Sequence, residues 1–147
     1  MRLLSIEERK CIWKNLKNIW GILPYNYWYP LTDQDFDIQT AIALDAELFE
    51  KEFGYEKLRG ILKDKGINKV IYLSENGYGE KDSEVELTDF EPEYCGAEGF
   101  WCTSSIDWVI YASHEVSITF AGEWLVEEIK KNYPFWNNRS WFDIEFK

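Results

Sequence analysis

His114 is the only histidine in the chain, so any acid–base chemistry that relies on imidazole must run through it. It lies in Ser113-His114-Glu115, with Cys102, Ser104 and Asp107 within a dozen residues. A Cys–His or Ser–His pair would need the nucleophile within hydrogen-bond reach of the ring and a third group to orient it. Spacing along the chain supplies neither, and a lone histidine at a turn more often caps the turn or joins a polar network. A small hydrolase using His114 stands as a third reading, and no catalytic residue is assigned.

The carboxylates invite other chemistry. With 27 acidic residues, pairs at the separation used in glycoside hydrolysis arise by coincidence. Asp33, Asp35 and Asp37 alternate, and DSEVELTD is oxygen-rich, but neither stretch has the D-x-[DN]-x-[DN]-G-x5-E spacing that wraps a calcium ion. Cys11, Cys95 and Cys102 are an odd number at unpatterned spacing, which argues for reduced thiols over a disulfide framework and falls short of a zinc site. Gly77 and Gly79 give G-x-G without the third glycine or a following helix, and the nearby acids would repel phosphate. No metal and no cofactor are expected.

What the sequence concentrates is negative charge. Glu75 to Glu98 carries nine carboxylates against the single cation Lys81, and residues 32 to 52 add seven against one. Crowded like charges cost stability, so a chain that keeps them can use their field on something positive, although a solvated loop or strand face is the plainer account of such a run. Aromatic anchors within a charged rim are the composition of a protein interface. The expected partner surface is therefore Tyr78, Glu80, Asp82, Glu84, Glu86, Asp89, Glu91, Glu93, Tyr94 and Trp101. The sign of the charge disfavours direct binding of nucleic acid, which needs clustered lysine and arginine.

The elements that would position these residues follow from periodicity and punctuation. Ser5-Ile6-Glu7-Glu8 has the form of a capping box opening a helix from Ile6 to Trp20, whose apolar residues recur at three and four before Gly21 ends it. Pro24 and Pro30 make the next stretch an extended connector. Ala41 to Phe53 and Tyr55 to Lys65 read as two helices or one broken helix. Asn68 to Ser74 and Ser83 to Phe90 read as a hairpin with Glu84 and Glu86 outward, joined by a Gly-rich acidic turn. The alternation in IDWVIYA and VSITFAG predicts a second hairpin burying Ile106, Trp108, Ile110, Val116, Ile118 and Phe120. A short helix from Trp124 and a terminal strand SWFDIEF complete an α+β domain, an antiparallel sheet of about five strands with helices on one face.

At 147 residues the chain fits one domain, residues 1–147, large enough to bury a core without staples. Its 46% hydrophobic content excludes wholesale disorder despite a net charge of -11. No apolar run approaches a bilayer span, and MRLLSIEERK turns charged before a signal-peptide core could develop. A cytoplasmic monomer or weak dimer, with no membrane association, is the expectation.

The stretch FWCTSSIDWVIYASHEVSITFAGEWLVEEI, above all the aromatic hairpin Asp107 to Glu115 running through a Gly-containing turn into a helix, together with size and acidity, resembles small bacterial immunity proteins of polymorphic and contact-dependent toxin systems. The resemblance is one of type. It implies a cytoplasmic protein that binds a basic cognate toxin, such as a nuclease domain, one to one and blocks its active site or a nearby exosite. It transfers no individual residue. The alternative of another class is a nucleic-acid mimic whose carboxylates imitate phosphates and block a DNA- or RNA-binding protein.

Overall fold

Ser5 opens the first helix as expected. Its hydroxyl accepts from the Glu8 amide while the Glu8 carboxylate accepts from the Ser5 amide, and helix α1 (Ile6–Trp20) runs until Gly21, at φ 69°, ends it in the left-handed conformation that glycine adopts without penalty. The computed structural model describes residues 1–74 and 82–145, the last two by backbone alone. Among the described residues the strands are β1 (Arg2–Leu3), β2 (Ala41–Asp45), β3 (Lys69–Ser74), β4 (Ser83–Glu86), β5 (Gly99–Cys102), β6 (Val109–Ala112) and β7 (Ser117–Ala121). The remaining helices are α2 (Ala46–Glu52), α3 (Tyr55–Asp64), α4 (Glu123–Asn132) and α5 (Trp141–Glu145).

The strands form one sheet in the order β1-β4-β3-β5-β6-β7-β2, with every neighbouring pair antiparallel. The α+β class therefore holds, with seven strands in place of about five. The helices also cover both faces and not one. On one face α2, α3 and α4 pack Phe49, Leu58, Leu62, Leu125 and Ile129 onto Ile42, Leu44, Ile110, Ile118 and Phe120. On the other, α1 and the connector pack Trp13, Leu16 and Trp28 onto Ala43, Leu73, Phe100, Val109 and Tyr111. Burial on both sides explains why the central strands read as continuous apolar runs. Each fully buried large side chain of this kind contributes about 1.5–3 kcal/mol relative to exposure.

Other expectations need correction. Ala41–Asp45 is the edge strand β2, paired along its length with β7, and the helix begins only at Ala46, capped by the Asp45 carboxylate on the Leu48 amide at 2.8 Å. The first hairpin forms, but its second strand stops at Glu86 and passes into a 3-10 turn, Leu87–Asp89. In the second hairpin Ile106 turns to the α1 face and Val116 is exposed in the turn. SWFDIEF is not a strand: Ser140 makes a single bridge to Leu44 and helix α5 follows. The corner from β7 into α4 depends on Gly122, at φ 112°, where a Cβ would sit 2.5 Å from the Asp107 carbonyl oxygen.

Candidate functional site

One end of the sheet gathers most of the features that could act on a partner. At this end β5 begins, β6 ends, β7 begins and β2 gives way to α2, so the β6–β7 turn, the loop into β5 and the start of α2 are neighbours. The Ala46 amide donates to the Val116 carbonyl at 2.9 Å, tying α2 to the turn.

Glu98 holds the turn and the loop together. Its side chain is 1% exposed and, among the described residues, accepts from the Tyr111 hydroxyl at 3.0 Å and the His114 amide at 2.7 Å and lies 2.8 Å from His114 Nδ1. A buried carboxylate is tolerated only when its lone pairs are met in this way. The other ring nitrogen of His114, Nε2, lies 3.1 Å from Glu115 Oε1, so the imidazole bridges two carboxylates, and serving both as a donor requires a proton on each nitrogen. The ring is flanked by Tyr27 and Tyr94, at centroid distances of 4.9 and 6.4 Å. Tyr27 comes from the connector, fixed by Trp28, which is fully buried and packs edge-on against Trp20, Phe36 and Tyr111.

The residues considered as nucleophilic partners of His114 lie elsewhere. Cys102 is opposite Val109 at the far end of β5 and β6, roughly 10 Å along the strand from Gly99 at the rise of an extended chain. Burial pushes its thiol up to about 12, away from a reactive thiolate. Ser104 and Asp107 belong to that same far end, where Asp107 accepts from Ser105 and from the Trp124 indole. His114 therefore sits in a network that fixes a turn, with its two ring nitrogens facing carboxylates where a nucleophilic triad would have one facing a hydroxyl or thiol.

Beside His114 a cleft of about 190 Å³ opens between α2, the loop before β5 and the β6–β7 turn. Glu47 and Glu50 of α2 and Glu93 of the loop line it together with Tyr55 and Tyr94, and no lysine or arginine is among the described lining residues. Glu47, Glu50, Glu91 and Glu93 are exposed, and none takes part in a salt bridge among the described residues. The Tyr55 phenol is pushed up by burial and then by the fields of Glu50, Glu93 and Glu91, so these charges converge on the cleft.

The expected partner surface divides between the two faces of the sheet. Tyr78 and Glu80 lie outside the described residues. Asp82 is 1% exposed, and one of its oxygens accepts from the Ser74 amide at 3.0 Å. Burial raises its pKa against the opposing pull of that amide, Arg9 and Trp13. Trp101 is a core residue, because the four apolar residues Gly99–Cys102 form a central strand and its ring packs against Tyr72 and Phe90. Glu84 lines a larger groove of about 610 Å³ beside α1, where it meets Arg2 at 3.5 Å and Lys69 at 3.9 Å. Glu86 also meets Lys69 at 3.9 Å. Arg2 is held in turn by Glu8 through two hydrogen bonds of 2.9 Å. Asp89, Glu91, Glu93 and Tyr94 remain exposed, and Glu93 and Tyr94 join the cleft beside α2 and α3.

Sequence reasoning missed Glu47 and Glu50 as members of this surface. Their acidic segment, 32 to 52, was visible in the charge distribution, but only the tertiary fold brings it beside Tyr94. Compared with known proteins, the sequence matches no family model, and neither the curated proteins nor the solved structures contain a match. Among the described residues no helix is long and apolar enough to cross a membrane, and no group of three or more histidine, cysteine or carboxylate side chains is placed to hold a metal ion.

Proposed function

We propose that this chain is a recognition protein that binds and neutralises a basic protein partner, in the manner of an immunity protein acting on a toxin domain such as a nuclease. Its binding surface is the acidic end around Tyr94 and His114. The observation that carries the reading is the cleft lined by Glu47, Glu50 and Glu93, with the exposed Tyr94 beside them and no lysine or arginine among the described lining residues. Carboxylates already matched by the domain's own cations, as Glu84 and Glu86 are, attract a partner weakly; those around Tyr94 keep their field for an incoming basic surface. The exposed aromatics Tyr25, Tyr27 and Tyr94 supply the contact area that holds the complex once steering has formed it. A compact patch with an aromatic centre suits this role better than phosphate mimicry, which would string acids along an extended face.

The test is co-expression with the C-terminal domain of the protein encoded by the adjacent open reading frame, followed by kinetic binding measurements. Reversing Glu50, Glu91 and Glu93 together to lysine should slow association by at least about tenfold at low salt, within the roughly 10 to 1000-fold range of electrostatic steering. Reversing Glu84 and Glu86 should change it by less. Association unaffected by the first set, or abolished by the second alone, would place the interface elsewhere.

A further inference from the structure

Resting on the recognition reading, we infer that the cleft beside His114 is a socket for a single arginine side chain projecting from the partner. At about 190 Å³ it is too small for a helix about 10 Å across, and suits one extended side chain. Its lining includes the apolar Ala46, Ala112 and Val116, against which an aliphatic stem can lie. Glu47 and Glu50, three residues apart on α2, line the same cleft as Glu93 of the loop before β5, so two separate elements supply carboxylates to the space a charged head would enter.

Arginine fits this arrangement better than lysine for two reasons. A planar guanidinium can donate to two carboxylates at once through its forked N–H groups, and it stacks on tyrosine rings such as those of Tyr55 and Tyr94. An ammonium is a compact, strongly hydrated charge that gains less from such rings. The field converging on Tyr55 marks the same spot. The larger groove beside α1 lacks this character, because Arg2 and Lys69 lie within it and its acids are matched.

The experiment titrates the full chain, uniformly labelled with nitrogen-15, with N-acetyl-arginine methylamide and with its lysine and citrulline counterparts, citrulline being the uncharged analogue of the same shape. Arginine should give saturable millimolar shifts in the amides of Tyr94 and residues 113–117. Citrulline should bind about tenfold or more weakly, the loss of one charge-assisted contact. Lysine should fall between them. Glu50→Gln and Glu93→Gln, conservative changes at exposed positions, should each weaken arginine severalfold while leaving the rest of the spectrum in place. Equal binding of arginine and citrulline, or shifts centred on Arg2 and Glu84, overturns the socket. A parallel titration with polylysine separates the two levels of the account: if polylysine shifts the acidic end and arginine amide does not, the socket fails and the recognition surface survives, whereas failure of both removes both.

Discussion

Replacing Glu98 with alanine should be among the most damaging single changes outside the apolar core. The carboxylate is 1% exposed and meets the buried Tyr111 hydroxyl, the part-buried His114 amide and His114 Nδ1, so its removal takes a charged acceptor away from all three. Hydrogen bonds to a charged group contribute about 1.5–3 kcal/mol each, but three bonds to one carboxylate do not add in full, so the set contributes more than one such bond and less than three. The expected loss for Glu98→Ala is therefore about 3–5 kcal/mol, a large part of the ~5–15 kcal/mol available to a domain. Glu98→Gln keeps the shape and one acceptor and should lose about half as much. Urea unfolding followed by tryptophan fluorescence reads both, and an unchanged slope confirms that the shift in midpoint is a shift in stability. A loss below about 1 kcal/mol for the alanine variant would refute the reasoning, since it would mean that these donors find other partners at little cost.

Cys11 and Cys95 are exposed, whereas Cys102 is buried with its thiol pushed up to about 12, so a colorimetric thiol reagent at pH 8 should modify two cysteines rapidly and the third only as the protein unfolds. Three fast equivalents would contradict the placement of β5. In acid, Glu52 and Glu8 are the groups to watch: hydrogen bonds from Arg139 and Tyr133 hold Glu52 at about 2, and those from Arg2 and the Ser5 amide hold Glu8 at about 2. A carboxylate whose folded pKa is depressed contributes stability that is present above its ordinary value and lost as pH falls through the folded value, so the melting temperature should drop between about pH 4.5 and 2. Asp82, raised by burial, acts in the opposite sense, its contribution being full in acid and lost as pH rises. Glu52→Gln should flatten the acid limb measured by calorimetry, and an unchanged limb would show that the Arg139 pair is not formed in solution.

The local signals in the sequence were readable where chain-local physics decides the outcome. The capping box, the Gly21 stop and the three- and four-residue spacing of Ile12, Trp13 and Leu16 specify α1 without help from the rest of the fold. The β6–β7 hairpin follows from its short turn and flanking apolar runs. Where tertiary pairing decides, local signals mislead. Ala41–Asp45 is built of residues that suit a helix, yet pairing with β7 makes it a strand. Gly99–Cys102 is four residues long and lies next to an acidic stretch, so its apolar run looked like part of a surface. The alternation in SWFDIEF meets edge strand β2 at the Ser140–Leu44 bridge, and the chain then turns into α5.

The site was legible only in part for the same reason. His114, Glu93 and Tyr94 stood out by type and by charge, but nothing in the sequence distinguishes the buried Glu98 and Asp82 from their exposed neighbours. Nor does it reveal that Arg2, near the first residue, and Lys69 meet Glu84, while Glu47 and Glu50 meet no lysine or arginine among the described residues. Which carboxylates keep their charge unmatched depends on contacts between residues far apart in sequence, and the electrostatic character of the surface is settled there.

The most direct test of the account is hydrogen-exchange footprinting of the chain in complex with the basic protein partner proposed for it. The account predicts new protection in residues 91–95, in the β6–β7 turn at 113–117 and along the start of α2, with the segment around Arg2, Lys69 and Glu84 exchanging as in the free protein. Protection confined to that second face, with the Tyr94 and His114 end unchanged, would contradict it.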